Sequence, residues 1–303
     1  MPDVGIYVPT PAADVQGDTV VAFGQRAEAA GVHSLWTLDR LVFDNQESLL
    51  CLAALAATTR RVKLGTSVLL GTLRPPALLA KMVATLDVLS GGRVILGLGA
   101  GSRPDDFAAA EIPFEHRGSR LAEAMEVLRL AWSGVPLTHD GPYHHLNVGP
   151  IGPKPVQAGG PPIWLGGSAD SALRRVGRLA DGYVGTSSGG PDGLRVAWAK
   201  VRQAAEEAGR DPSSLKLAAL VYACVDDDRD RAVERAGAYL RRYYPPERAQ
   251  VPPWFLLGPP ETCIETAQTY FAAGVDVLIV GPVTADLGHL DRLLGEVVGP
   301  LQR

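Results

Sequence analysis

Lys81-Met82-Val83-Ala84-Thr85-Leu86-Asp87-Val88-Leu89-Ser90-Gly91-Gly92-Arg93-Val94-Ile95-Leu96-Gly97-Leu98-Gly99-Ala100-Gly101 is the stretch that decides the fold. A helical segment runs into a glycine pair. A short apolar strand, Val94–Leu98, follows and leaves through a glycine-rich turn. Such a strand suits a parallel sheet buried on both faces. A dinucleotide-binding turn also follows a strand, but its fingerprint needs an acidic residue about 20 positions later, on the next strand. Arg117 stands near that spacing and a helix follows it, so the turn is read either as a tight strand exit or as a place where bare backbone approaches a ligand closely.

The same alternation extends both ways. Strands are expected at Val4–Val8, Ser34–Leu38, Val62–Leu70, Val94–Leu98, Ile163–Leu165, Tyr183–Gly185, Leu217–Val225 and Val275–Val280. Between them apolar residues recur at helical spacing, as in Val20, Phe23, Ala27 and Ala30, or Leu121, Met125, Leu128 and Trp132. Glu28-Ala29-Ala30-Gly31-Val32 and Phe271-Ala272-Ala273-Gly274-Val275 share one junction, with glycine placed to cap a helix in the left-handed conformation. Eight strands with intervening helices predict an α/β chain folded as a (β/α)8 TIM barrel, in one domain over residues 1–303; an open doubly wound sheet is the rival. Pro136–Pro162 and Tyr243–Pro260 exceed the minimal unit and are expected as insertions at the C-terminal face.

The 29 basic and 33 acidic residues leave a net charge of −4, which gives no reason to expect nucleic acid or an anionic membrane as partner. Cys51, Cys224 and Cys263 form no CxxC pair, so neither a disulfide framework nor a zinc site is expected. No signal segment is visible at the start, and no apolar run approaches the roughly 18 residues of a membrane span. The expectation is a cytoplasmic protein without a metal.

The opening stretch resembles the third-helix to fourth-strand region of the bacterial luciferase-like monooxygenase superfamily, and particularly its F420-dependent oxidoreductases. Other matching pieces follow in order: Ser34-Leu35-Trp36-Thr37-Leu38-Asp39, Leu64-Gly65-Thr66-Ser67-Val68-Leu69, Arg117-Gly118-Ser119-Arg120, Pro153-Lys154-Pro155-Val156-Gln157, Pro161-Pro162-Ile163-Trp164-Leu165-Gly166-Gly167-Ser168 and Ala180-Asp181-Gly182-Tyr183. The resemblance implies a flavin-type oxidoreductase whose coenzyme is the deazaflavin F420, with FMN as the alternative. It also implies a small-molecule substrate and a homodimer. Cofactor-binding residues carried over are Asp39, Ser67, Val68, Ala100, Gly101, Asp105, Gly166, Gly167, Ser168 and Thr186, with a cis peptide at Ser67–Val68. In a barrel these positions all follow strands, and active sites lie at that end. Glycines there let a backbone approach a flat ring. Ser168 is placed to cap the following helix, whose N-terminus attracts a phosphate.

The sequence departs from the family's sugar-phosphate branch at three places. Arg40 stands where a catalytic histidine follows the aspartate, Ser102 where a glutamate follows the glycine turn, and Gly189 where a lysine holds phosphate. Asp39 and Arg40 are therefore the candidate catalytic pair. Arginine cannot serve as a general acid near neutral pH, because its pKa exceeds about 12. An apolar substrate pocket is expected, with Trp254, Phe255 and Leu256 either closing over it or packing elsewhere. Three functions remain open: an F420-dependent oxidoreductase, an FMN-dependent monooxygenase using reduced flavin and oxygen, and a non-catalytic flavin-binding barrel.

Overall fold

A computed structural model describes residues 3–12, 15, 17–185, 189–244 and 250–303. Its strands are β1 (Asp3–Tyr7), β2 (Ser34–Thr37), β3 (Lys63–Thr66), β4 (Leu69–Leu70), β5 (Val94–Gly99), β6 (Leu137–Asp140), β7 (His145–Val148), β8 (Ile163–Gly166), β9 (Gly182–Gly185), β10 (Lys216–Val225), β11 (Leu256–Gly258) and β12 (Val277–Pro282). The helices that matter below are α1 (Gly17–Ala29), α2 (Ser48–Thr58), α3 (Pro76–Ser90), α4 (Pro104–Ala109), α5 (Arg117–Trp132), α6 (Asp170–Leu179), α7 (Gly190–Glu207), α8 (Arg229–Tyr243), α9 (Pro260–Ala272) and α10 (Leu287–Leu293).

Strands β1, β2, β3, β5, β8, β9, β10 and β12 pair in parallel, each with the next, and β12 pairs back onto β1. This is the expected closed (β/α)8 barrel, and it removes the open-sheet alternative. The junction glycines adopt the expected left-handed conformation, with φ of 80° at Gly31 and 93° at Gly274.

Side chains fill the barrel. Tyr7, Trp36, Leu38, Ile95, Trp164, Val184, Ala218, Val277 and Ile279 form a buried cluster inside the ring of strands, separate from the larger core between strands and helices. Trp36 and Trp164 meet at 5.7 Å. Bare glycines on neighbouring strands make room for them: a Cβ on Gly65 would lie 2.3 Å from the Trp36 ring, and one on Gly182 2.8 Å from Trp164. The two indoles make the lumen a packed floor rather than a pore.

Three elements differ from expectation. The strand expected over Val62–Leu70 is broken at a cis Ser67–Val68 peptide, and pairing with β5 resumes in β4. The expected cis bond is thus present. The Pro-rich stretch after α8 contains β11, which pairs with the end of β10 outside the ring. The segment Pro136–Pro162 holds the antiparallel hairpin β6–β7. It joins the C-terminus of α5 to the N-terminus of β8, so it springs from the opposite end of the barrel to the mouth. The expectation of insertions at the C-terminal face holds only for the stretch after α8.

Candidate active site

The C-terminal strand ends gather the expected residues on one rim. Asp39 and Arg40 follow β2, Ser67 and Val68 follow β3, Ala100 and Gly101 follow β5, and Gly167 and Ser168 follow β8. Thr186, expected after β9, lies outside the described residues.

Asp39 is buried and fully engaged. It accepts the Leu70 amide at 2.8 Å and both arms of Arg74 at 2.7 and 3.0 Å. Arg74 reaches Glu47 as well, at 2.8 Å. Burial works against the Arg74 charge, but the hydrogen bonds to Asp39 and Glu47 outweigh it and hold the guanidinium pKa above its ordinary value. Asp39 and Arg40, although adjacent in sequence, do not pair with each other. Arg40 turns to α4, where its Nε donates to Asp106 at 2.7 Å and its Nη2 approaches Asp105 at 3.5 Å. Asp106 is buried and also takes the amides of Leu41 and Val42, at 3.0 and 2.8 Å. It thereby fixes the loop after β2. Sequence alone missed this role, because Asp105 and Asp106 are adjacent identical residues in one first turn.

Val68 sits where three strands meet. A Cβ on Gly99 would be 2.5 Å from Val68 Cγ2, and one on Gly166 would be 3.0 Å from Cγ1. Val68 also packs against the lumen cluster. Its methyl groups therefore lie over the bare backbone at Gly99 and Gly166, and Val68 itself is partly exposed. Beside it, Gly101 has φ of 80°, and a Cβ there would lie 2.7 Å from the Phe107 ring. Thr72 donates to the Ala100 carbonyl at 3.3 Å, and Arg117 to that of Gly101 at 2.9 Å.

The Gly166-Gly167-Ser168 turn leads into α6. Ser168 does not cap it, as had been expected: the N-cap is Ala169, one residue later, and it has no side-chain hydrogen bond. The Tyr183 hydroxyl fixes the turn by donating to the Gly167 carbonyl at 2.9 Å. Ser168, Tyr183, Gly193, Leu194 and Lys200 line a cavity of about 160 Å³ between the start of α6 and α7.

The opposite side of the mouth is tyrosine-rich. Tyr7 and Tyr222 rise from β1 and β10, and Tyr239 and Tyr243 come down from α8. Tyr243 packs on the lumen cluster, stacks edge-on against Phe43 at 5.2 Å, and takes a hydrogen bond from Arg103 on its carbonyl at 2.8 Å. Burial pushes the Tyr243 hydroxyl well up, with Tyr244 adding to the rise and Arg40 and Arg103 opposing it. Phe255 and Leu256 are not a lid. Both lie in the core outside the ring, Phe255 against Tyr222 at 5.4 Å and Leu256 within β11. Trp254 packs beside Gly190 at the start of α7.

A larger hollow, about 740 Å³, lies between α5 and the β6–β7 hairpin and includes none of the strand-end residues. Its buried Glu123 is committed to His139 at 3.1 Å and to the amides of Tyr143 and His144. This ties the hairpin to α5. Among the described residues no group of three or more His, Cys, Asp or Glu could hold a metal ion, and no helix is long and apolar enough to cross a membrane.

A closed (β/α)8 barrel with its candidate site at the strand C-termini defines an enzyme scaffold. The family model for luciferase-like monooxygenases matches residues 4–277, and the chain belongs to that family. It is 30% identical over 288 residues to an F420-dependent glucose-6-phosphate dehydrogenase of Nakamurella multipartita, covering 84% of this chain and 82% of that one. It spans only 56% of the length of uncharacterised mycobacterial relatives, to which it is 38% identical. Among solved structures, an F420-dependent secondary alcohol dehydrogenase in complex with an F420-acetone adduct superposes with a TM-score of 0.86 at 23% identity, covering 98% of each chain. The FMN-bound oxygenating component of a Baeyer-Villiger monooxygenase from Pseudomonas putida superposes at 0.80 and 21%, again over 98% of each.

Proposed function

We propose that this protein is an F420-dependent oxidoreductase that passes hydride between the coenzyme and a small organic substrate. The observation that carries this reading is the face formed by Val68, Gly99 and Gly166. There the Val68 methyl groups cover the bare backbone and are themselves partly exposed, an apolar surface of the kind a planar deazaflavin needs for stacking. Homologues named for F420 dependence support the choice of coenzyme.

The residues fit such a group. Val68 and the β5 exit through Ala100 and Gly101 would back the ring. Gly167, Ser168 and the free amides of the first turn of α6 would take a phosphate, helped by the helix dipole. F420, when bound, supplies or accepts the hydride. Asp39, held by Arg74 and the Leu70 amide, fixes the end of β4 next to that face. Tyr243 and the lumen cluster limit water at the mouth, which strengthens every charge interaction there. A homodimer belongs to the same proposal: α2 and α3 pack side by side and expose Leu50, Leu78 and Leu89.

Titration of the purified protein with F420 and with FMN tests the coenzyme. F420 should bind at least tenfold more tightly. Tighter FMN binding would move the protein to the flavin monooxygenases, and failure of both to bind would overturn the proposal.

A further inference from the structure

The Arg40 side chain is only 6% exposed, yet its Nη1 has no hydrogen-bond partner. The rest of the guanidinium is fixed. Nε donates to Asp106, Nη2 donates to the Val42 carbonyl at 3.1 Å, and the Phe43 ring lies 5.6 Å from Cζ. A buried donor left unmade is costly, so an orphan in a native site points to a missing partner. Other orphans stand at the same end of the barrel, among them the buried hydroxyls of Tyr7, the last residue of β1, and of Thr10 just beyond it. Strands β1 and β2 are paired neighbours, with Tyr7 opposite Trp36. Phe43 and Tyr243 connect the groups: the Phe43 ring lies against both Arg40 and Tyr243, and Tyr243 packs on the lumen cluster that includes Tyr7.

We infer that Arg40 binds the oxygen of an uncharged carbonyl substrate through Nη1, with the Tyr7 hydroxyl as the neighbouring polar contact. This inference rests on the oxidoreductase function proposed above and names the substrate end of that site. The chemistry of the donors sets the ligand class. Guanidinium nitrogen only donates, so the ligand must present an acceptor. Two carboxylates, Asp105 and Asp106, already face this one guanidinium. An anion would meet them at short range in a buried place, whereas a neutral carbonyl oxygen meets only the free donor. Reduction of a carbonyl adds hydride at carbon, moves the C=O π pair to oxygen, and leaves a negative oxygen that a solvent proton then neutralises. A permanently charged donor at that oxygen stabilises the charge as it grows. Arg40 cannot supply the proton, and its role here requires none.

The test uses Arg40→Lys, which keeps a cation for Asp106 but lacks the second arm, together with Tyr7→Phe. The probe is cyclohexenone labelled with ¹³C at the carbonyl. Its binding and its carbonyl stretch are measured with the protein both free and loaded with F420. The wild type should lower the stretch on binding. Arg40→Lys should lose the shift and weaken probe binding roughly ten- to a hundredfold, as expected for a charged hydrogen bond. Its F420 affinity and Tm should stay near wild type, and Tyr7→Phe should show a smaller loss. An unshifted carbonyl in the wild type, or the same shift in Arg40→Lys, overturns the inference. Arg40-dependent binding of benzoate tighter than that of the ketone overturns the uncharged class. Loss of F420 binding by the wild type itself would instead count against the coenzyme proposal, and the probe measurement on free protein would still decide the role of Arg40.

Discussion

Val68 occupies the space that a side chain at Gly99 would need: a Cβ there would fall 2.5 Å from Val68 Cγ2. The glycine is thus required by its neighbour across the strand pair rather than by its own backbone. Gly99→Ala should cost about 1–3 kcal/mol, the range for overpacking a filled core. Shortening the neighbour should recover much of it. In urea unfolding, Val68→Ala/Gly99→Ala should be at least about 1 kcal/mol more stable than the sum of the single changes implies. Simple additivity would show that the two side-chain positions do not compete.

Arg74 and Asp39 make the second test. Removing Arg74 leaves a buried carboxylate with one amide for a partner. Arg74→Met should lose roughly 3 kcal/mol, towards the lower end for a broken buried pair because Arg74 keeps some solvent contact. Asp39→Asn in the same background removes the stranded charge and should restore part of the loss. A loss below about 1 kcal/mol in chemical denaturation would place this pair among ordinary surface ion pairs.

Much of this was readable in the sequence, and the limits have physical causes. The eight barrel strands announce themselves because both faces are buried, so their apolar runs are continuous. Strand β11 hides because Leu256 and Leu257 are flanked by Pro252, Pro253, Pro259 and Pro260. The β6–β7 hairpin hides because its residues are mostly polar and exposed. At the site, strand ends placed Val68, Gly99 and Gly166 together. Partners remained invisible: Asp39 and Arg74 are 35 positions apart.

His289 should make stability depend on pH. It is buried, and its Nε2 accepts the Val225 amide at 3.1 Å, which requires that nitrogen to be unprotonated. Burial, with Arg235 adding to it, lowers the His289 pKa to about 4. An unfolded histidine titrates near 6.5. Between these values the unfolded chain binds a proton that the folded one refuses. The stabilising effect is therefore complete above about pH 6.5 and declines as pH falls towards 4, by up to about 1.4 kcal/mol per pH unit. His289→Gln keeps an acceptor for Val225 and cannot titrate. Its Tm should fall less than that of the wild type over the same interval; parallel curves would exclude His289 as the source.

The phosphate end of the proposed coenzyme site needs a substitution that does not disturb the fold. Gly167 looks attractive from the sequence, but its φ is 137°, and a Cβ there would lie 2.8 Å from that of Ala172. A bulky residue at Gly167 would strain the backbone, so lost binding could not be separated from lost stability. Ser168 is the better position. It is exposed, caps nothing, and lines the cavity of about 160 Å³ beside the first turn of α6. Ser168→Phe would fill that space while leaving the backbone as it is. F420 affinity should drop at least about tenfold, which is about 1.4 kcal/mol, while Tm should move by no more than a few degrees, as expected for a surface change. Calorimetric titration and a thermal melt on the same preparation give both numbers. Unchanged F420 affinity would mean that the phosphate lies elsewhere on the rim, and that the amides of α6 serve the fold alone.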